Sequence, residues 1–501
     1  MTTADPVDAP PPFAGDVDAA PAAVGEAWPV RVLRWFSRAV TVYWPILLVA
    51  LAAFGIRVWI QQDWMPECTA EEVAVRTTLD DCYAVGGDAS YYRDMATNVS
   101  EGNGYTLVNL ATLELVPGAD HPPGYITFLA GLNTVGLWTL NQHRLALAAV
   151  GSISVALMGL LGWRLGGRYP RATGVVAASL AAIYPGYWMA DTLYMSESFF
   201  IPFIVLTLLC AYRFWRGPGW LNAVWLGSAA GGAWLTRGEA ALVLGFIVVG
   251  FVVFMRTVTF RRRFAMGVVA CAVCVGMMTP WIAYNLSRFP EPIFIAATGP
   301  ALALNSCDEV WEGDAAGFYS FGCLNRYTAE TIAEDGKYTD AGIRSRATEY
   351  IRDNLTSLPG IAAIRVARIY GVYAIGDTEL RNALAEGRRQ DWVQAQQLMY
   401  YAMVAGGIVG LVALRRRRMP ISPIVGPILA VAASVAGTFA IYRYRLAADT
   451  AIMAVCAVGI TAAVGKLQRD FGRVQVEHDD PWDHPSDEAP DDTSVGARTP
   501  A

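Results

Sequence analysis

The chain has 501 residues, 54% of them hydrophobic and 16% charged, and its mean hydropathy is +0.34. A soluble domain carries about 25% charged residues, so a freely soluble protein is excluded and an integral membrane protein is expected, with membrane lipid around it. The formal net charge of −6 misleads, because much of the acid lies in a C-terminal tail; no nucleic-acid partner is expected.

Residues 1–28 are rich in Pro, Ala and Asp and lack the apolar content for a core, so a disordered N-terminal segment, 1–40, is expected. Arg31, Arg34 and Arg38 precede an apolar run from Val42 to Trp59 with no small-residue cleavage site after it. That run reads as a retained first span, and the arginines before it put the N-terminus in the cytoplasm. Further apolar segments lie at about 143–164, 171–189, 197–214, 219–236, 239–256, 264–286, 398–414, 421–440 and 447–465. Each is near the roughly 20 residues that cross a bilayer. A short helix at 124–139 is expected on the outer surface or partly inserted.

The result is an all-α polytopic membrane protein of about ten spans over residues 41–465, with two large extracytoplasmic loops, 61–142 and 287–397. Arginines cluster at Arg164/Arg168/Arg171, Arg213/Arg216, Arg256/Arg261/Arg262/Arg263 and Arg415 to Arg418. All four clusters fall on the cytoplasmic side of this scheme, where basic loops belong. Both termini then lie inside, and the acidic tail 466–501 is expected to be disordered. The second outer loop holds an amphipathic stretch, Ala341 to Leu358, and a half-apolar helix, Ile361–Ile375, expected to lie on the membrane.

Eight cysteines divide by this topology. Cys210, Cys271, Cys274 and Cys456 sit within spans as ordinary core residues. Cys68 and Cys82 share the first outer loop, and Cys307 and Cys323 the second. The outer compartment is oxidising, so two intraloop disulfides are expected. Metal binding is the weaker alternative, because neither pair has CxxC spacing.

The polar stretch Gly86 to Tyr125 interrupts the hydrophobic series. Asp88 follows two glycines and begins a helical pattern carrying Tyr92, Met95 and Ala96; the stretch ends in the rigid turn His121-Pro122-Pro123-Gly124-Tyr125. A carboxylate at a helix start serves either as a cap or in proton transfer, and both readings stand. Other polar groups crowd the outer ends of spans: Asp191 and Glu197, Arg237 and Glu239, Trp281, Asn285 and Arg288, and the run Tyr442-Arg443-Tyr444-Arg445. Ionisable groups at membrane depth are costly and are functional candidates, although any one can be an interfacial anchor. Several arginines on one face suit a phosphate, which guanidinium binds bidentately.

Gly87-Asp88 with Tyr92, HPPGY, Ser196-Glu197, Thr236-Arg237-Gly238, Pro280-Trp281 and Tyr-Arg-Tyr-Arg occur in an order that resembles the C-type (GT-C) membrane glycosyltransferases. Within that class they are most similar to glycosyltransferase family 39, which includes protein O-mannosyltransferases and the lipid A aminoarabinose transferase. The loop at Asn305-Ser306-Cys307 and the helix near Arg365–Gly376 resemble actinobacterial members. The resemblance implies transfer of a sugar from a polyprenyl-phosphate donor to a glycan, lipid or protein acceptor on the outer face of the plasma membrane, as part of cell-envelope chemistry. Asp88 matches the catalytic acid of the first loop, and Arg237 matches a basic residue near the donor phosphate. Tyr92, Arg93, His121, Tyr125, Glu197, Arg288, Arg443 and Arg445 are further substrate-binding candidates. The family often carries an Asp-Glu pair where this chain has Asp88-Ala89, so acceptor handling or a metal role differs. No cofactor is expected, with a divalent cation left open.

The chemistry agrees in kind: a lipid-phosphate sugar brings its own leaving group, and the protein must stabilise departing phosphate and deprotonate a hydroxyl. No GxGxxG, P-loop, Ser-His-Asp or HExxH signature is present. A transporter or flippase of lipid-linked glycans is the rival from another class. Transporters tend to hold polar sites near the midplane, whereas the charges here gather at the outer ends. A non-catalytic homologue is the third reading, raised by Ala89.

Overall fold

A computed structural model describes residues 28–69, 82–108, 113–385 and 387–470. The segments expected to be disordered, apart from 28–40 and 466–470, lie outside these residues. The described chain is almost wholly helical. The helices are α1 Trp28–Trp59, α2 Asp88–Ser100, α3 Pro123–Thr134, α4 Leu140–Leu165, α5 Pro170–Ile183, α6 Pro185–Thr192, α7 Glu197–Arg216, α8 Trp220–Trp234, α9 Ala240–Phe254 and α10 Phe260–Arg288. The second loop adds α11 Gly299–Ala303, α12 Asp308–Trp311, α13 Phe321–Asp335, α14 Asp340–Asp353, α15 Leu358–Ile369 and α16 Ile375–Ala385, followed by α17 Gln390–Arg416, α18 Ser422–Gly437 and α19 Leu446–Asp470. One two-stranded antiparallel sheet, Thr106–Val108 with Leu115–Pro117, pairs Leu107 with Val116 in the first loop.

Among the described residues, six helical segments are long and apolar enough to cross a membrane: Thr41–Trp64, Leu140–Leu165, Glu197–Arg216, Phe260–Arg288, Gln390–Arg416 and Tyr442–Leu467. The other four expected spans form helices of 14, 15, 15 and 16 residues, namely α5, α8, α9 and α18. At 1.5 Å per residue these reach only about 21–24 Å, short of a ~30 Å hydrocarbon core, so ten full spans are not reached by length. Punctuation residues cut them. The expected span 171–189 breaks between Ile183 and Pro185, because a proline removes a backbone donor and blocks the helix behind it. α8 stops before Thr236-Arg237-Gly238, and α18 ends at Gly437.

The arginine-bearing loops gather at one end of the bundle. Arg216 donates to the Arg164 carbonyl at 2.8 Å, and Arg417 donates to the carbonyls of Leu165 and Gly166 at 3.1 and 3.0 Å. The two large loops meet at the opposite end. There Ala297 N–H donates to the Ala119 carbonyl at 2.8 Å, and Ala440 N–H donates to that of Gly317 at 3.0 Å. The second loop has its own small core of Cys307, Val310, Trp311, Cys323 and Ile361. Its amphipathic stretch forms α14, and its half-apolar helix is α15, which ends at Ile369.

Buried arginines strut this loop. Arg365 donates to the Asn305 carbonyl at 2.7 Å, and Arg368 donates to the Ala316 carbonyl at 2.6 Å and to Asp377 at 2.8 Å. The sulfurs of Cys68 and Cys82, and those of Cys307 and Cys323, are bonded in the structure, closing loops of 14 and 16 residues. Glu309 lies beside the second pair and accepts from Ser320 Oγ at 2.6 Å.

Among the described residues, two ion pairs are fully buried within the bundle. Arg57 of α1 meets Asp191 of α6 at 2.7 Å, and Arg445 meets Asp449 of α19 at 2.9 Å. Both are joined to one face of the short α6. Tyr184 before it donates to Asp449 at 2.5 Å, Tyr187 bonds Thr450 at 2.7 Å, and Asp191 follows one turn on. Removing either partner of such a pair leaves an uncompensated charge in a low-dielectric setting, at about 3–5 kcal/mol.

Candidate active site

Asp88 opens α2 directly after Gly87, whose φ of +56° is a backbone state that glycine reaches without steric cost. The N-cap of α2 is Gly87, so Asp88 stands one residue inside the helix, in its first turn. Its Oδ2 lies 2.6 Å from Arg443 Nη2 and its Oδ1 lies 3.6 Å from His121 Nε2. The side chain is 31% exposed. Burial pushes this carboxyl up, but the Arg443 guanidinium, with the His121 ring beside it, outweighs that and holds it well below the ordinary range. Asp88 is therefore ionised at neutral pH.

One turn along α2, Tyr92 is buried beneath Asp88 and donates to Ser196 Oγ at 3.2 Å. Burial first, then the charges of Asp88 and Glu197, raise its phenol well above 10, so it stays a neutral donor. Tyr125, from the HPPGY turn, packs edge-on to Tyr92 with ring centroids 5.0 Å apart and is fully buried. His121 lies over Tyr91 and Tyr92 at 5.1 and 4.9 Å. Gly124 fixes this turn against the neighbouring one: its N–H donates to the Leu235 carbonyl at 2.6 Å, and a Cβ at 124 would meet that oxygen at 2.7 Å. The close approach sets the His121 turn beside Thr236-Arg237-Gly238.

Glu197, the first residue of α7, is 1% exposed and lies among arginines. It pairs with Arg237, whose Nε also reaches Glu239 at 2.6 Å, and it lies 3.8 Å from Arg443 Nε. Arg237 and Arg443 both lie over the Tyr444 ring, at 4.9 and 5.4 Å. Asp88, Tyr92, His121, Glu197, Arg237 and Arg443 thus form one cluster from four distant stretches, with Tyr125 behind it. Arg388 belongs to this cluster as well. It is 7% exposed and near enough for its charge to act on Glu197. The sequence signal that could have found it is the basic pair Arg388-Arg389 just before α17.

Three candidates lie elsewhere. Arg93 is exposed, one residue past Tyr92 and so about 100° around α2 from it. Arg288 is a clamp for the first loop. It donates to the carbonyls of Tyr105 and, at 2.6 Å, Gly118, and lies over Trp281 and Tyr284. Arg445 turns into the bundle, bonding Asp449, Gln397 and the Ile369 carbonyl. The Tyr442–Arg445 run is a single 3-10 turn. Residues two apart in a 3-10 turn point about 120° away from each other, so Arg443 and Arg445 cannot serve one site. Ala89 is buried among Tyr83, Tyr92 and Met189, so an acid at that position would face the packed layer under α2.

The family model described as dolichyl-phosphate-mannose-protein mannosyltransferase matches residues 120–284, from the His121 turn through Glu197 and Arg237 to Tyr284. Over that segment the chain is similar to the C-type membrane glycosyltransferases, the class that its motif order resembles. Among solved structures it is similar to the oligosaccharyltransferase AglB of Archaeoglobus fulgidus in complex with an inhibitory peptide and a dolichol-phosphate. That match has 17% identity and a TM-score of 0.48, covering 86% of this chain and 52% of that one. It is also similar to ArnT of Cupriavidus metallidurans bound to undecaprenyl phosphate, at 16% identity and a TM-score of 0.36, covering 88% and 82%. The chain spans about half the length of the archaeal oligosaccharyltransferase, 52%. No curated protein sequence matches it.

Proposed function

We propose that the protein transfers a sugar from a polyprenyl-phosphate donor to an acceptor hydroxyl, at the outer face of the membrane and with inversion. The observation that carries this is the arrangement at Asp88: an ionised, part-exposed carboxylate whose partner Arg443 is shared, through Glu197, with Arg237. Base and cationic cradle adjoin each other at the end of the bundle where the two large loops meet.

In the reaction, the acceptor oxygen bonds to the anomeric carbon as its proton passes to the Asp88 carboxylate. The bond from that carbon to the donor phosphate breaks, and its electron pair leaves on the phosphate. Arg237 and Arg443 meet the charge that develops there, which is where preorganised cations lower a barrier most. Tyr92, a neutral donor, and the His121 ring line the acceptor side of Asp88. The match to the mannosyltransferase family model over residues 120–284 supports the class of reaction.

The test is to incubate the purified, lipid-reconstituted protein with a panel of polyprenyl-phosphate sugars and follow its melting temperature. At least one donor should raise it, and Arg237→Ala should weaken that rise. A panel with no stabilising member would end this reading.

A further inference from the structure

Arg443 raises a problem that the proposed reaction has to solve. A carboxylate paired at 2.6 Å with a guanidinium is a poor proton acceptor, and base strength is what general catalysis needs. The same guanidinium stands where the donor phosphate must be met. Its Nη2 faces Asp88, its Nε faces Glu197 at 3.8 Å, and its Nη1 is 3.9 Å from the Met195 sulfur, a weak acceptor. A phosphate held bidentately takes two adjacent N–H groups. Both adjacent pairs, Nε with Nη2 and Nη1 with Nη2, include the nitrogen that faces Asp88, so a bidentate phosphate competes with a carboxylate for this guanidinium.

The surroundings decide which. Glu197 is 1% exposed and also bound to Arg237, whereas Asp88 is 31% exposed at a helix start. Moving Glu197 would strand a charge in the packed interior, while Asp88 needs only a side-chain rotation beside His121.

We propose that Arg443 changes partners: it is the counter-ion of Asp88 in the free protein and the ligand of the donor phosphate in the loaded one. Resting on the polyprenyl-phosphate reading above, this makes donor binding the event that frees the base. The free protein holds its carboxylate in check, and the acceptor proton has a strong acceptor only when a sugar is in place. Donor therefore precedes acceptor.

The experiment measures affinity for undecaprenyl phosphate in nanodiscs, with inorganic phosphate in parallel. Asp88 competes with phosphate for Arg443, so Asp88→Asn should bind the lipid about ten-fold tighter than wild type, within the usual range of coupling between sites. In an Arg443→Gln background the same Asp88 change should bring no gain. Equal or weaker binding by Asp88→Asn overturns the exchange while leaving the lipid-phosphate reading intact. A gain that persists without Arg443 also overturns it, by reducing the effect to general repulsion. Inorganic phosphate binding as tightly as the lipid would replace the donor role with a free-anion site. Wild type that binds no lipid would remove the underlying reading instead.

If Arg443→Gln does not fold, calorimetry on wild type in two buffers at pH 4.5 gives the same answer. The phosphate contributes its own proton change in both proteins, so binding should take up more protons, or release fewer, in wild type than in Asp88→Asn. Equal proton exchange in the two overturns the partner change.

Discussion

Asp88 meets Arg443 directly, whereas Arg237 is linked to it through Glu197, and the two are expected to fail differently. Asp88→Asn keeps the size of the side chain and leaves the N-cap residue, Gly87, unchanged. Turnover should drop by about 100-fold or more with folding intact and donor still bound, whereas Arg237→Ala should act chiefly on donor affinity. Single-turnover assays at saturating donor separate the two, and near-normal transfer by Asp88→Asn would return the loop to a structural role. Acidity gives a second check. The folded carboxyl lies well below its ordinary value of 3.8, so its contribution to stability is complete above about pH 4 and fades only as pH falls through the lower, folded value. The melting-temperature gap between wild type and Asp88→Asn, without donor, should hold steady from pH 7 to 5 and close only below pH 4. A gap that closes between 7 and 5 would mean that Arg443 does not hold the carboxylate low.

At the scale of elements, α2 was legible because glycines, an acid and a helical apolar spacing coincide at Gly86–Asp88. The six long spans were legible because hydropathy and length agree. The shorter helices were not, since hydropathy runs on through Pro185 while backbone hydrogen bonding does not. Arg443 and Arg445 could not be told apart by sequence, because only the turn type decides which faces the loop. Arg388 went unseen because its basic pair does not show which acid its charge acts on, and that acid, Glu197, lies 191 residues away. The loops depend on their cross-links as well: with 14 and 16 residues closed by Cys68–Cys82 and Cys307–Cys323, each bond should contribute about 3 kcal/mol. Alkylation and mass spectrometry of unreduced protein should find these four thiols blocked and Cys210, Cys271, Cys274 and Cys456 free. Four reactive thiols in the loops would sink the expectation.

At the scale of the molecule, arginine-bearing turns close one end of the bundle and the acid–arginine cluster marks the other. If the basic end faces the cytoplasm, as loop charge predicts, a cysteine introduced at 315 should react with an impermeant reagent in intact cells and one at 261 should not. Reaction at 261 would invert the assignment of sides. A third position suited to this test, 110, falls outside the described residues.

The buried pair between Arg57 and Asp191 has a consequence for how the chain is made. Its partners are 134 residues apart, and synthesis proceeds at about 5–20 residues per second, so the arginine is made roughly 7 to 27 seconds before its acid. Throughout that interval the first span carries a cation that lipid tolerates poorly. Lying in the last turn of α1, it can snorkel to the interface only until α6 arrives and draws it into the bundle, so the first span, made first, takes its final place late. Asp191→Leu would make the wait permanent. Pulse-labelled protein of that variant should insert its later spans normally yet be degraded, and adding Arg57→Leu should restore its lifetime; degradation that persists in the double variant would show that the delay is not set by this pair.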